Sequence, residues 1–244
     1  MSDYERYGDY NEIDEAPSQN KTLKIIKLVA IFLCFFVAAA LLFRVFTFNY
    51  YPKSMKTLYF NDTLTAYYNA TEGDIGAESQ TWRNYGYDDP DEGNFFCSNL
   101  VVIREAGQLQ VTVRYNTALM DKLAVRHGID TPSPDDTAIY SFSLAGLRAS
   151  DEIAEDSEDA AKPIDSTATV ARTDSFLMYR YMRLVFDGID FGSESDGDNL
   201  EWLRLEIKVS GTKESEPYKI LIYQNNEGYS KFEEYKLKGG EAPI

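Results

Sequence analysis

Histidine and cysteine are scarce in this chain of 244 residues: one histidine, His127, and two cysteines, Cys34 and Cys97. A single histidine excludes a multi-histidine metal centre. It also leaves any Ser-His-Asp or Cys-His mechanism only one candidate base. Two cysteines so far apart exclude a disulfide framework. No G-x-S-x-G marks a nucleophilic serine, and no EF-hand spacing is present. Basic residues are also in short supply, with 24 Lys and Arg against 40 Asp and Glu, a net charge of −16. Phosphate backbones are held by clustered Lys and Arg, so nucleic acid is not expected as a partner.

The charge is unevenly spread. Residues 21–48 contain four basic residues and no acid, and within them Leu28–Phe43 is sixteen residues without a polar side chain. Ile25 and Ile26 before the run, and Val45, Phe46 and Phe48 after Arg44, extend it to the roughly 20 residues that cross ~30 Å of hydrocarbon. Eleven Leu, Ile, Val or Phe side chains in the run favour insertion. Arg44 sits where its stem can snorkel to the headgroups, and Tyr50 and Tyr51 suit the aromatic belt of the interface. The run continues past the A-x-A of Ala38 and Ala40, which favours a retained signal anchor over a cleaved leader. Lys21, Lys24 and Lys27 cluster on the N-terminal side, and a large domain follows. The expected topology is a single pass, with the N-terminus cytoplasmic and the C-terminal domain extracytoplasmic.

The expected domains are an acidic disordered tail over 1–20, a transmembrane helix over 21–48, a membrane-proximal stalk over 49–60 and an extracytoplasmic domain over 61–244. In the tail, six acids oppose Arg6. The last stretch alternates rather than repeating at helical spacing. In Gln108–Tyr115, Leu109, Val111, Val113 and Tyr115 share one face; Gln108, Gln110, Thr112 and Arg114 share a polar one. With Asn99–Arg104 this segment forms a hairpin through Glu105-Ala106-Gly107. Further strands are expected at Ile139–Leu144, Phe176–Phe186, Trp202–Val209, Tyr218–Tyr223 and Phe232–Leu237. The fold class is therefore mainly β, an antiparallel sandwich. One short helix interrupts it, capped by Asn116 or Thr117 and closing at Gly128. His127 then lies in the last turn of that helix, a structural place. A second short helix is weakly signalled near Asp62–Tyr68. Residues 145–175 and 187–201 are acidic and poor in apolar residues, and are expected as surface loops.

Asp190, Glu194, Asp196 and Asp198 are the best spacing for a hard cation such as calcium, with Asp88, Asp89, Asp91 and Glu92 a second group. No other cofactor is expected. Trp82, Tyr85, Tyr87 and Trp202 are the aromatic candidates for contact with a ligand. Sequons stand at Asn61 and Asn69. The expected partners are the bilayer, through residues 25–48, and a protein or glycan at the cell envelope. The leading expectation is a non-catalytic, membrane-anchored interaction module. A glycosidase-like envelope hydrolase using paired carboxylates and an accessory subunit of a membrane complex are the alternatives.

Overall fold

A computed structural model describes residues 21–80, 85–86, 95–118, 140–151, 161–209, 217–225 and 230–231. The chain divides into two compact units, residues 1–50 and 51–244.

In the first unit, α1 runs from Lys21 to Asn49. No Pro or Gly interrupts it, and Leu- and Ala-rich sequence propagates a helix well. The side chain of Asn49 donates to the Val45 carbonyl at 2.8 Å near the C-terminal end, and Pro52 follows shortly, a residue that cannot continue a helix. The large apolar side chains from Leu23 to Phe46 are exposed, Phe35 and Phe36 to 73%. The stretch Leu23–Thr47 is long and apolar enough to cross a membrane, a length and composition shared by membrane anchors and signal sequences.

The second unit is mainly β. Among the described residues its helices include α2 (Lys53–Lys56) and α3 (Asp62–Ala70). The strands are β1 (Glu78–Gln80), β2 (Tyr85–Gly86), β3 (Phe96–Ile103), β4 (Gln108–Asn116), β5 (Tyr140–Arg148) and β6 (Lys162–Ile164). They continue as β7 (Thr167–Phe176), β8 (Tyr179–Asp187), β9 (Leu200–Val209), β10 (Tyr218–Gln224) and β11 (Ser230–Lys231). One antiparallel sheet has the order β11-β1-β3-β4-β8-β7, with β2 also paired to β3; the other has the order β10-β9-β5-β6. A single buried cluster draws on both. The first sheet supplies Val102, Leu109, Val111, Val113, Leu184 and Phe186, and the second supplies Leu144, Leu203, Leu205, Ile207 and Ile220. Alternation in β4 and β9 produces this face directly, because successive side chains of a strand point to opposite sides. Much of the aromatic content is spent here as well. Phe95 meets Tyr140 edge-on at 5.5 Å and Tyr218 at 5.1 Å, and Tyr115, Tyr140 and Tyr218 are all buried.

The β3–β4 hairpin forms as expected. A 3₁₀ turn over Arg104–Ala106 closes on Gly107 at φ +60. A Cβ there would lie 2.9 Å from the Ile189 carbonyl, so both the left-handed backbone and the close approach require glycine.

Three expectations are corrected. The run expected as one strand, Phe176–Phe186, is broken after Phe176: Leu177 and Met178 form a two-residue turn, and the chain doubles back as β8. The loop expected over 145–175 contains the end of β5, then β6 and the ten-residue β7. β7 is an edge strand with both faces partly in solvent, so it carries no apolar alternation to betray it. Finally, the polar face of β4 does not meet water. Gln108, Gln110, Thr112 and Arg114 are all fully buried, beneath the segment that leads out of Tyr51. The helix expected after Asn116 (with His127) lies outside the described residues from Leu119 on, as does the strand expected at Phe232–Leu237.

Candidate functional site

The acidic loop between β8 and β9 is built around a cation supplied by the chain itself. Arg148, the last residue of β5, donates to the carbonyls of Asp190 at 2.8 Å and Asp198 at 3.0 Å. It also lies 3.5 Å from a carboxylate oxygen of each. Ser150 donates to the other oxygen of Asp198 at 2.5 Å. The amide of Gly192 donates to Asp190 at 2.9 Å, and Ser195 donates to Asp196 at 3.2 Å. Gly192 has φ +67, and a Cβ on it would stand 2.0 Å from the Asp198 carbonyl oxygen, which fixes the tight return of the loop. Asp190 and Asp198 thus converge on a guanidinium, Asp196 binds its neighbour, and Glu194 lies in a 3₁₀ turn, Glu194–Asp196. Among the described residues, no three acidic, histidine or cysteine side chains converge on a point where a metal ion would sit. The second acidic group, Asp88–Glu92, lies outside the described residues.

Of the aromatic candidates, Trp202 lies on β9 opposite Leu147 of β5 and is half-buried. Its face also bears the ion pair Arg204–Glu206 at 2.9 Å. Tyr85 belongs to β2, opposite Cys97 of β3. Trp82 and Tyr87 lie outside the described residues, and Trp202 and Tyr85 belong to different sheets. Cys97 is 1% exposed, and burial pushes its thiol well above the ordinary range. A thiol kept neutral in an apolar interior is not a nucleophile.

The polar layer on the other face of the first sheet went unseen in the sequence. Gln110 makes a strand-like pair with the backbone of Tyr59: its carbonyl accepts from the Tyr59 amide at 2.9 Å, and its amide donates to the Tyr59 carbonyl at 2.7 Å. Gln110 also donates to Gln108 at 2.8 Å, and Gln108 donates to Asp187 at 2.7 Å and Asn61 at 3.1 Å. Asn61 in turn caps α3 by accepting from the Leu64 amide at 3.0 Å. Thr112 donates to the Met55 carbonyl at 2.7 Å. Arg172 of β7 donates to Thr57 at 3.1 Å, and Ser54 donates to Asp174 at 2.6 Å. Residues 54–61 are therefore strapped to the sheet by side chains of β4, β7 and β8.

Two guanidinium groups are fully buried in this layer. Arg114 lies among rings, 4.7 Å from both Phe96 and Tyr179 and 5.4 Å from Tyr51, a geometry that favours a cation over the ring faces. Arg183 donates to the Asn99 carbonyl at 2.6 Å and to Thr112 at 3.1 Å. Its Nε and second terminal nitrogen meet no acceptor among the described residues. Burial, helped by the like charge of Arg172, pulls its pKa down to about 9. Asn99, whose carbonyl it uses, stands at φ +49 in a bulge of β3. An alternating strand reads as half-exposed by pattern alone; the signal available was that Gln, Gln, Thr and Arg in one row can each bond backbone, whereas a solvated face favours Lys and Glu.

Comparison with protein-family models, with curated proteins and with solved structures finds no match for this chain.

Proposed function

We propose that the protein is a membrane-anchored, non-catalytic interaction module, with α1 as a retained single-pass anchor and residues 51–244 as an extracytoplasmic head. The burial of Val111, Leu184, Leu205 and Ile207 in one cluster supports reading the two sheets as a sandwich. The observation that carries the function is β7. It is ten residues long, pairs with β8 on one side, and has no strand on its other side among the described residues. Thr167, Ala168 and Thr169 are exposed along it. An open edge offers a row of backbone donors and acceptors, and an extended segment of a protein partner adds to such an edge as a further strand. The register shift between Val170 and Arg172 guards the edge against unselective pairing, as bulges do on natural sheet edges.

A photo-crosslinking side chain placed at Thr169 in the full chain, in its native membrane, tests this. The expected result is a discrete crosslinked band at Thr169 that is absent when the same group is placed at Ser143 of β5. Equal patterns at the two positions would remove β7 as the binding edge.

A further inference from the structure

The turn joining β7 to β8 is chemically out of place. Phe176 pairs with Tyr179, so the connection is the two residues Leu177 and Met178. Two-residue hairpins call for Asn or Gly, because their turns need positive φ. Here Leu177 takes φ +54, a conformation that bulky residues rarely adopt. Leu177 is 57% and Met178 49% exposed, and every other large exposed apolar side chain among the described residues belongs to α1. The turn therefore combines backbone strain with two apolar side chains in solvent, and local folding rewards neither.

The surroundings of the tip match a membrane interface. Phe176 and Tyr179 flank it and pack against a cluster of Tyr51, Met55 and Tyr181. Tyr51 meets Tyr181 edge-on at 5.4 Å and is the second residue after the end of α1. Arg180 follows Tyr179 on β8. Aliphatic side chains at a tip, with Tyr and Phe behind them and an arginine beside them, are the composition that settles at the headgroup boundary.

We infer that the Leu177–Met178 tip inserts into the interfacial layer of the bilayer that α1 spans. This rests on the reading of α1 as a retained span, and the test separates the two. The full chain, with Cys34→Ala so that the buried Cys97 is the remaining native thiol, is reconstituted in phosphatidylcholine–phosphatidylglycerol liposomes. Met178→Cys carries an environment-sensitive fluorophore, and Ser143→Cys, exposed on β5, is the control. Lipids with a quencher at shallow depth are expected to extinguish emission at position 178 and to leave position 143 unchanged. An alkaline carbonate wash of the same liposomes reports on the span. Chain retained by the membrane, with position 178 unquenched, would overturn the tip contact alone. Chain released by the wash would overturn the span and the tip contact with it.

Discussion

At the scale of single residues, the turn at Leu177 and Met178 sets local stability against surface chemistry. Replacing Leu177→Gly installs the residue that a two-residue hairpin prefers where, as here, the first of its two positions has positive φ. It relieves the strain of that φ. The expected outcome is a more stable chain in detergent by about 1 kcal/mol, read as a raised denaturation midpoint, together with weaker lipid quenching of the fluorophore on Met178→Cys. Tyr67 offers a second measurement. It donates to Glu105 at 2.7 Å across α3 and the 3₁₀ turn, and this bond, more than burial, raises its pKa from 10 to about 12. The folded state holds the proton that the unfolded chain gives up. The contribution is therefore complete below pH 10 and disappears as pH rises towards 12. Tyr67→Phe should flatten that part of the alkaline stability profile, followed by denaturation at fixed temperature across pH. Neither residue was legible in the sequence. A Leu-Met turn has no turn composition, and the partner of Tyr67 is 38 residues away.

At the scale of elements, legibility follows burial pattern. β4 and β9 were readable because one face of each enters the common core, and alternation records that directly. The β3–β4 hairpin was readable because Gly107 marks the position that needs φ above zero. β7 was not, since a strand at an edge buries too little to imprint a period. The strap over residues 54–61 was hidden for the opposite reason: it covers a sheet face with polar side chains that look destined for water. Gln110 is its central fastener. Gln110→Leu keeps the volume but leaves the amide and carbonyl of Tyr59 without the side-chain partners they have now. A cost of about 1–3 kcal/mol is expected, the usual range for a part-buried polar group stripped of its partner. Urea denaturation of the full chain measures the total, and hydrogen exchange at the Tyr59 amide localises it. Unchanged protection at Tyr59 would mean that the strap is held by other contacts.

At the scale of the whole molecule, the net charge of −16 resolves into regions with different tasks. The first twenty residues contain six acids and one base, residues 21–48 four bases and no acid, and residues 49–244 nineteen bases against thirty-four acids. An acidic domain is repelled by its own kind and by anionic lipid, so under the proposed reading the apolar helix and the small tip of β7 and β8 make its contacts with a bilayer. The same distribution bears on topology. The three lysines before the span favour the side that retains positive charge. Under the proposed orientation the head lies outside. A membrane-impermeant maleimide applied to intact cells should label Thr173→Cys, an exposed position on β7, in the Cys34→Ala background. It should label Ser18→Cys only after permeabilisation. Cys97 stays silent in both cases, because it is 1% exposed and its thiol is held neutral by burial. The reversed pattern, with Ser18→Cys labelled in intact cells and Thr173→Cys protected, would turn the molecule over in the membrane. It would then move the open edge of β7, and whatever partner pairs with it, to the cytoplasm.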